Sequence, residues 1–119
     1  MDGNRSETDG VVLYHNARCS KSRAALSILR ESGVAPEVVD YLKSPLDAAA
    51  LLDLLSRLAV PAEALLRRGD TLAKDLPLTT DAEIIAAIAA HPKLMQRPVV
   101  VTNKGAVIAR PPERVLEIL

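Results

Sequence analysis

Val11-Val12-Leu13-Tyr14-His15-Asn16-Ala17-Arg18-Cys19-Ser20-Lys21-Ser22-Arg23 is the stretch from which the fold is read. Its first four residues form an apolar run bounded by polar ones, the mark of a buried strand. From Ser20 onward apolar residues recur at helical spacing. Cys19 therefore falls in a strand-to-helix turn, at or just before a helix N-terminus. Unpaired amide N–H groups and the positive end of the helix dipole favour an anion there. A thiolate is such an anion, so the ordinary thiol pKa of ~8.5 is expected to fall. Arg18, Lys21 and Arg23 add positive charge, and His15 adds more when protonated. A single cysteine in a small protein is most often a small buried hydrophobe, but these flanks are polar and cationic, unlike a core.

Working outward, Ser20 to Glu31 carries Ala24, Leu26, Ile28 and Leu29 on a helical pattern, and Gly33 supplies the stop. Glu37 to Leu42 reads as a second strand, ended by Ser44-Pro45. Strand, helix and strand make a βαβ unit, whose two strands run parallel. Residues 46–90 read as helical throughout. Leu46 to Arg57 has Leu51, Leu52, Leu54, Leu55 and Leu58 to one side, Pro61 opens a short helix to Arg68, and Thr71 to Leu78 suggests one helical turn. Thr80-Asp81-Ala82-Glu83 fits a capping box before an amphipathic helix to about Ala90. The β signal then returns: Val99–Thr102 and Ala106–Ala109 flank Asn103-Lys104-Gly105, a hairpin with Gly105 suited to a left-handed turn position. Pro111-Pro112 starts a last helix. The order is βαβ, a helical insertion, then ββα. A small sheet with a cysteine after its first strand and a proline before its third is the thioredoxin-like plan.

The chain has 119 residues, 49% of them hydrophobic, which suits one domain with one modest core over residues 11–119. Residues 1–10 are polar and read as a flexible tail. Fifteen basic residues balance fifteen acidic ones, so no global field points to nucleic acid or to a membrane. No apolar run is long enough for a bilayer, and no signal-peptide core is present. One cysteine forms no internal disulfide, so a cytoplasmic location is expected. A monomer is expected from the small size.

Cys19-Ser20-Lys21-Ser22 is a C-x-x-S. A dithiol oxidoreductase has its resolving cysteine where Ser22 stands. If Cys19 forms a covalent intermediate, the resolving thiol must come from another molecule, with glutathione and a glutaredoxin-like protein the obvious sources. A phosphatase-type C-x5-R loop is absent, since the sixth residue after Cys19 is Ala25. An oxyanion beside Cys19 then needs arginines from elsewhere. Arg67, Arg97 and Arg110 are the candidates, because a guanidinium is a planar, permanent cation suited to tetrahedral oxyanions. Arg97 and Arg110 directly precede prolines at strand ends, an odd place for a random surface charge. Cis bonds are only ~5–6% of X–Pro bonds; the topology raises the prior for Pro98, because this fold usually sets a cis proline beside its active cysteine. His91, before Pro92, reads as a helix-end residue. One cysteine and two distant histidines do not make a metal site.

These residues resemble the glutaredoxin-coupled arsenate reductases of bacteria, in a short form. Tyr14-His15-Asn16-x-x-Cys19 is similar to that family's active-site segment. Ser22-Arg23, Ala64-Leu65-Leu66-Arg67, His91-Pro92, Arg97-Pro98-Val99-Val100-Val101 and Arg110-Pro111 are similar to its later blocks, in the same order. The resemblance implies that Cys19 attacks arsenate and that Arg67, Arg97 and Arg110 bind arsenate and its product. It implies that His15 helps to lower the cysteine pKa, with Asn16, Ser22, Arg23, Arg68 and Pro98 in support. Glutathione would act as co-substrate, with no bound cofactor and no metal, and glutaredoxin would reduce the mixed disulfide. The pair after Asn16 is Ala17-Arg18 rather than a proline-containing pair. Arg67-Arg68-Gly69-Asp70 also departs from the family segment, so either Arg67 or Arg68 can be the oxyanion ligand.

Two alternatives stand beside this reading. One is a thiol oxidoreductase of the same fold acting on another substrate. The other is a non-catalytic, thiol-sensing regulator that binds RNA polymerase. That branch typically carries a C-x-x-C switch, which Ser22 does not provide.

Overall fold

The computed structural model describes residues 10–119, so the expected tail lies outside the described residues but for Gly10. Residues up to Asp40 together with Arg97–Leu119 form one compact unit, and Tyr41–Gln96 form a second.

In the first unit, β1 (Val12–His15) leads into α1 (Ser20–Glu31), with Cys19 as the extended N-cap residue. The helix ends as the glycine stop predicts. Gly33 has φ +81°, its N–H donates to Arg30 O (3.0 Å), and the Val34 N–H donates to Leu29 O (3.0 Å). That reciprocal pair satisfies two carbonyls left over by the last turn. β2 (Glu37–Asp40) is shorter than the expected run to Leu42, because Tyr41 and Leu42 turn away into the second unit. β3 (Val99–Thr102) and β4 (Gly105–Ile108) complete a four-stranded sheet in the order β2-β1-β3-β4. β1 and β2 are parallel; β3 is antiparallel to both β1 and β4. This is the thioredoxin-like arrangement expected from the sequence.

The register explains the core. Leu13 pairs with Val100, and Val100 with Val107, so three apolar side chains align across the sheet on one face. Ala25 and Leu29 of α1 and Val115 near the C-terminus belong to the same buried cluster. Gly105 opens β4 paired with Thr102 and has φ +147°, a positive value that side-chain-bearing residues rarely adopt, so the hairpin uses the conformational freedom expected of this glycine. The last segment, Pro112–Ile118, is a 3₁₀ helix and not the expected α-helix. Pro111 and Pro112 supply no N–H, and the winding starts with the Arg114 N–H on Pro111 O (3.0 Å), an i→i+3 bond that sets the tighter turn.

In the second unit, α2 (Ala48–Leu58) is capped by the Asp47 carboxylate, which accepts the Ala50 N–H at 2.8 Å. Leu51, Leu54 and Leu58 are buried, whereas Leu52 is 56% exposed, so the leucine face is narrower than the sequence suggested. α3 covers only Ala62–Leu65, short of the expected end at Arg68. Leu66 is drawn into an antiparallel bridge with Met95, and the Gln96 N–H reaches Leu65 O at 2.8 Å. Those longer-range bonds compete with a further helical turn. Thr71–Asp75 is a 3₁₀ helix, and α4 (Asp81–Ala90) starts at the predicted capping box formed by Thr80 and Glu83. A 3₁₀ turn at Pro92–Leu94 follows. Among the described residues no helix is long and apolar enough to cross a membrane.

Candidate active site

The loop from β1 to α1 is fastened by its own backbone and by three polar side chains. The Cys19 N–H donates to Asn16 O (2.9 Å), and Cys19 O accepts the Arg23 N–H (3.0 Å). The Asn16 side chain accepts the Arg18 N–H at 3.0 Å, an Asx turn that bends the chain toward the helix. Arg23 Nη1 donates to Ala17 O at 2.8 Å. Ser22 is fully buried, and its hydroxyl accepts the Asn16 N–H at 3.4 Å. Asn16, Ser22 and Arg23 thus shape the loop that presents Cys19, which is half-buried.

Burial alone would push the Cys19 thiol up. The N–H groups of Ser22 and Lys21, the Ser22 hydroxyl and the positive charge of Arg97 outweigh it, and the pKa lies below that of an ordinary thiol. The N–H donors are those of the first helical turn that no intrahelical carbonyl can take. The arrangement favours the thiolate form of Cys19 relative to that of an ordinary cysteine.

His15 ends β1 and is buried, with Asp40, the last residue of β2, as its parallel partner. Burial lowers the His15 pKa. Asp40 acts against this, while Arg23 and Arg30 reinforce it. The ring is therefore neutral at neutral pH, and its Nδ1 is buried without a hydrogen-bond partner among the described residues. Burial and the two arginines disfavour the imidazolium, so His15 adds to the positive field only when it is protonated, and that form is less favoured here than in a free histidine. The cation that acts on the thiol is Arg97.

The Arg97–Pro98 peptide bond is cis, and so is Arg110–Pro111, which the sequence reading did not single out. Arg97 is half-buried, and its Nε is buried with no hydrogen-bond partner among the described residues. Arg110 is exposed, and its Nη1 donates to Arg97 O at 2.9 Å, so one arginine is anchored on the backbone of the other. The Ala109 N–H on Pro98 O (2.9 Å) ties the same two strand ends together. Cys19, His15, Asn16, Ser22, Arg23, Arg97, Pro98 and Arg110 all belong to the first unit.

Arg67 and Arg68 belong to the second unit, and their surroundings there differ. Arg68 pairs with both carboxylate oxygens of Glu63 and also donates to Leu78 O at 3.1 Å. Arg67 is half-exposed and lies 3.6 Å from Asp70, a carboxylate that it shares with Lys93 at 3.8 Å. Arg68 is committed to structure, and Arg67 holds the looser pairing.

Two contributors escaped the sequence reading. Asp40 and Arg30 both act on His15. Asp40 could have been found, because in parallel strands of equal length the last residues sit side by side. Arg30 is eleven residues beyond Cys19 in the chain, and nothing local links it to the histidine. Among the described residues no cluster of three or more His, Cys, Asp or Glu side chains could hold a metal ion.

This chain resembles known proteins over nearly its whole length. It is 50% identical to the Escherichia coli K12 protein YfgD over 117 residues, covering 94% of this chain and 98% of that one. It is 42% identical over 114 residues to an arsenate reductase of Neisseria meningitidis, covering 92% of this chain and 97% of that one. The solved structure of an arsenate reductase from Vibrio cholerae superimposes with a TM-score of 0.87 at 42% identity, covering 92% of this chain and 97% of that one. Residues 14–118, from the end of β1 to the C-terminal 3₁₀ helix, match the ArsC family, to which this chain belongs.

Proposed function

We propose that this protein reduces arsenate to arsenite, using Cys19 as the nucleophile and glutathione with glutaredoxin as the source of electrons. The observation that carries the reading is the pairing of a thiol of lowered pKa with Arg97, whose buried Nε lacks a partner among the described residues. A buried, unpaired guanidinium N–H is costly, and an oxyanion would satisfy it. The names of the N. meningitidis and V. cholerae relatives support arsenate as that oxyanion.

The Cys19 thiolate attacks arsenic(V) and displaces a hydroxide, which leaves as water, to give a thiol–arsenate adduct. Arg97 and Arg110 bind the arsenate oxygens. The family pattern adds Arg67 to them, and its loose pairing with Asp70 leaves it better suited than Arg68, which is held by Glu63 and Leu78 O. A glutathione thiolate then attacks the Cys19 sulfur. The sulfur–arsenic bond breaks, its electron pair goes to arsenic, and arsenite leaves with Cys19 in a mixed disulfide. Glutaredoxin takes the glutathionyl group and restores the thiol. Ser22 is a hydroxyl, so the external thiol is required.

The test is arsenate-dependent NADPH oxidation by the purified protein, coupled through glutathione, glutaredoxin and glutathione reductase. Turnover by the wild type and none by Cys19→Ser is expected. Equal turnover by both would overturn the mechanism.

A further inference from the structure

The backbone of Arg67 is fixed on both sides. Its N–H donates to Leu94 O at 2.7 Å, and its carbonyl accepts the Asp70 N–H at 3.2 Å, which closes a turn over Arg67–Asp70. Leu66, just before it, bridges to Met95. The turn that carries Arg67 is thereby tied to the segment that carries Lys93, all within the second unit. What remains to be set is the direction and charge balance of the Arg67 side chain.

Asp70 sits where the two segments meet. Its side chain is only 11% exposed, against 37% for Arg67 and 56% for Lys93. Asp70 Oδ1 accepts the Leu72 N–H at 2.9 Å and lies 3.8 Å from Lys93 Nζ. Asp70 Oδ2 lies 3.6 Å from Arg67 Nη1. Two cations therefore share one carboxylate, and both pairs are longer than the ~2.7–2.9 Å of a charge-assisted hydrogen bond. Arg68 is the contrast, since Glu63 engages it with both oxygens. Arg67 is held by attraction without a tight bond, so it can change partners.

An oxyanion that binds Arg67 must take it from Asp70. A nearly buried carboxylate is costly to leave without a cation. Lys93 already stands at its other oxygen and stays there when Arg67 turns to the oxyanion. We propose that Asp70 is the resident counter-anion that the oxyanion displaces from Arg67, and that Lys93 sets the ease of this exchange by holding Asp70. Lys93 then governs oxyanion affinity without touching the oxyanion. The inference rests on the reading above that Arg67 is an oxyanion ligand.

Protection of Cys19 from iodoacetamide by arsenate tests it. The full-length protein is used without glutathione, and each variant is compared with its own unprotected rate to give an apparent dissociation constant. Asp70→Asn keeps an oxygen for the Leu72 N–H and loses the charge, so arsenate should bind about threefold more tightly, the scale of a partly exposed ion pair. Lys93→Met leaves Asp70 wholly to Arg67 and should weaken arsenate about threefold. Lys93→Arg should keep the wild-type value. The deciding comparison is Lys93→Met made in the Asp70→Asn protein, where it should change the constant by less than about 1.5-fold. A lysine acting directly on the oxyanion would still cost about threefold there, and that result would overturn the proposal. Weaker binding in Asp70→Asn would overturn it as well. Protection of the wild type with no response in either single variant would sink this proposal alone. Absence of protection in the wild type, or equal protection of Arg67→Ala, would sink the oxyanion role of Arg67 and this proposal with it.

Discussion

At the scale of single residues, Ser22 links the β1–α1 loop to Cys19. Its buried hydroxyl accepts the Asn16 N–H and acts on the Cys19 thiol. In Ser22→Ala the thiolate loses a donor, so the Cys19 pKa should rise and alkylation by iodoacetamide at neutral pH should slow. A pH–rate profile of alkylation checks this, and an unchanged midpoint would remove Ser22 from the site. Arg97→Ala is expected to weaken oxyanion binding by about 10- to 100-fold, the usual cost of losing a charged hydrogen bond. Arsenate inhibition of alkylation would read it. His15 gives a pH-dependence. Its folded pKa lies below 6.5, so the unfolded chain binds more protons as the solution is acidified. Its contribution to stability is complete above pH 6.5 and is lost as pH falls through the folded value. Thermal melts of wild type and His15→Gln should therefore converge as the pH drops from about 7 toward 5; parallel curves would contradict the burial argument.

The elements owe their limits to devices of a few residues each. Gly33 ends α1 at φ +81° with open space around it, so Gly33→Ala meets no neighbour and is strained only by its backbone. The expected loss is about 1–2 kcal/mol in urea unfolding. The α4 capping box joins the Thr80 hydroxyl to the Glu83 N–H (3.1 Å) and the Glu83 carboxylate to the N–H groups of Thr79 and Thr80 (3.0 Å each). Thr80→Ala should cost about 1 kcal/mol, while Thr80→Ser should cost little. Both signals were readable in the sequence because a cap is a local event. The early end of α3 was not readable, because Leu66 leaves the helix for a bridge to Met95, a residue distant in the chain. The C-terminal 3₁₀ helix was half-readable: the two prolines announce a helix start, but the winding is set by the i→i+3 bond onto Pro111 O.

At the scale of the molecule, a core without Trp or Phe relies on aliphatic packing. Leu13 is fully buried at the centre of the sheet, between β2 and β3. Leu13→Ala should cost about 2–5 kcal/mol through lost contact and a residual cavity. Chemical denaturation followed by circular dichroism would measure it. The balanced overall charge conceals a local excess around Cys19, where Arg18, Lys21, Arg23 and Arg97 all lie in the first unit. Charge counted over the whole chain accordingly says nothing about the ligand of this site.

Local sequence specifies the strand–loop–helix that presents Cys19, the parallel βαβ unit, the hairpin, and the lack of a second cysteine with which Cys19 could pair within the chain. Each of these follows from local spacing, turn chemistry or a residue count, which act over a few residues. Tertiary structure decided the lowered pKa of His15, the choice of Arg97 over the neighbouring cations as the charge felt by the thiol, and the commitment of Arg68 to Glu63. It also decided that β2 stops at Asp40. These depend on burial and on charges from distant parts of the chain, and desolvation is set by what folds over a group, not by its neighbours in sequence.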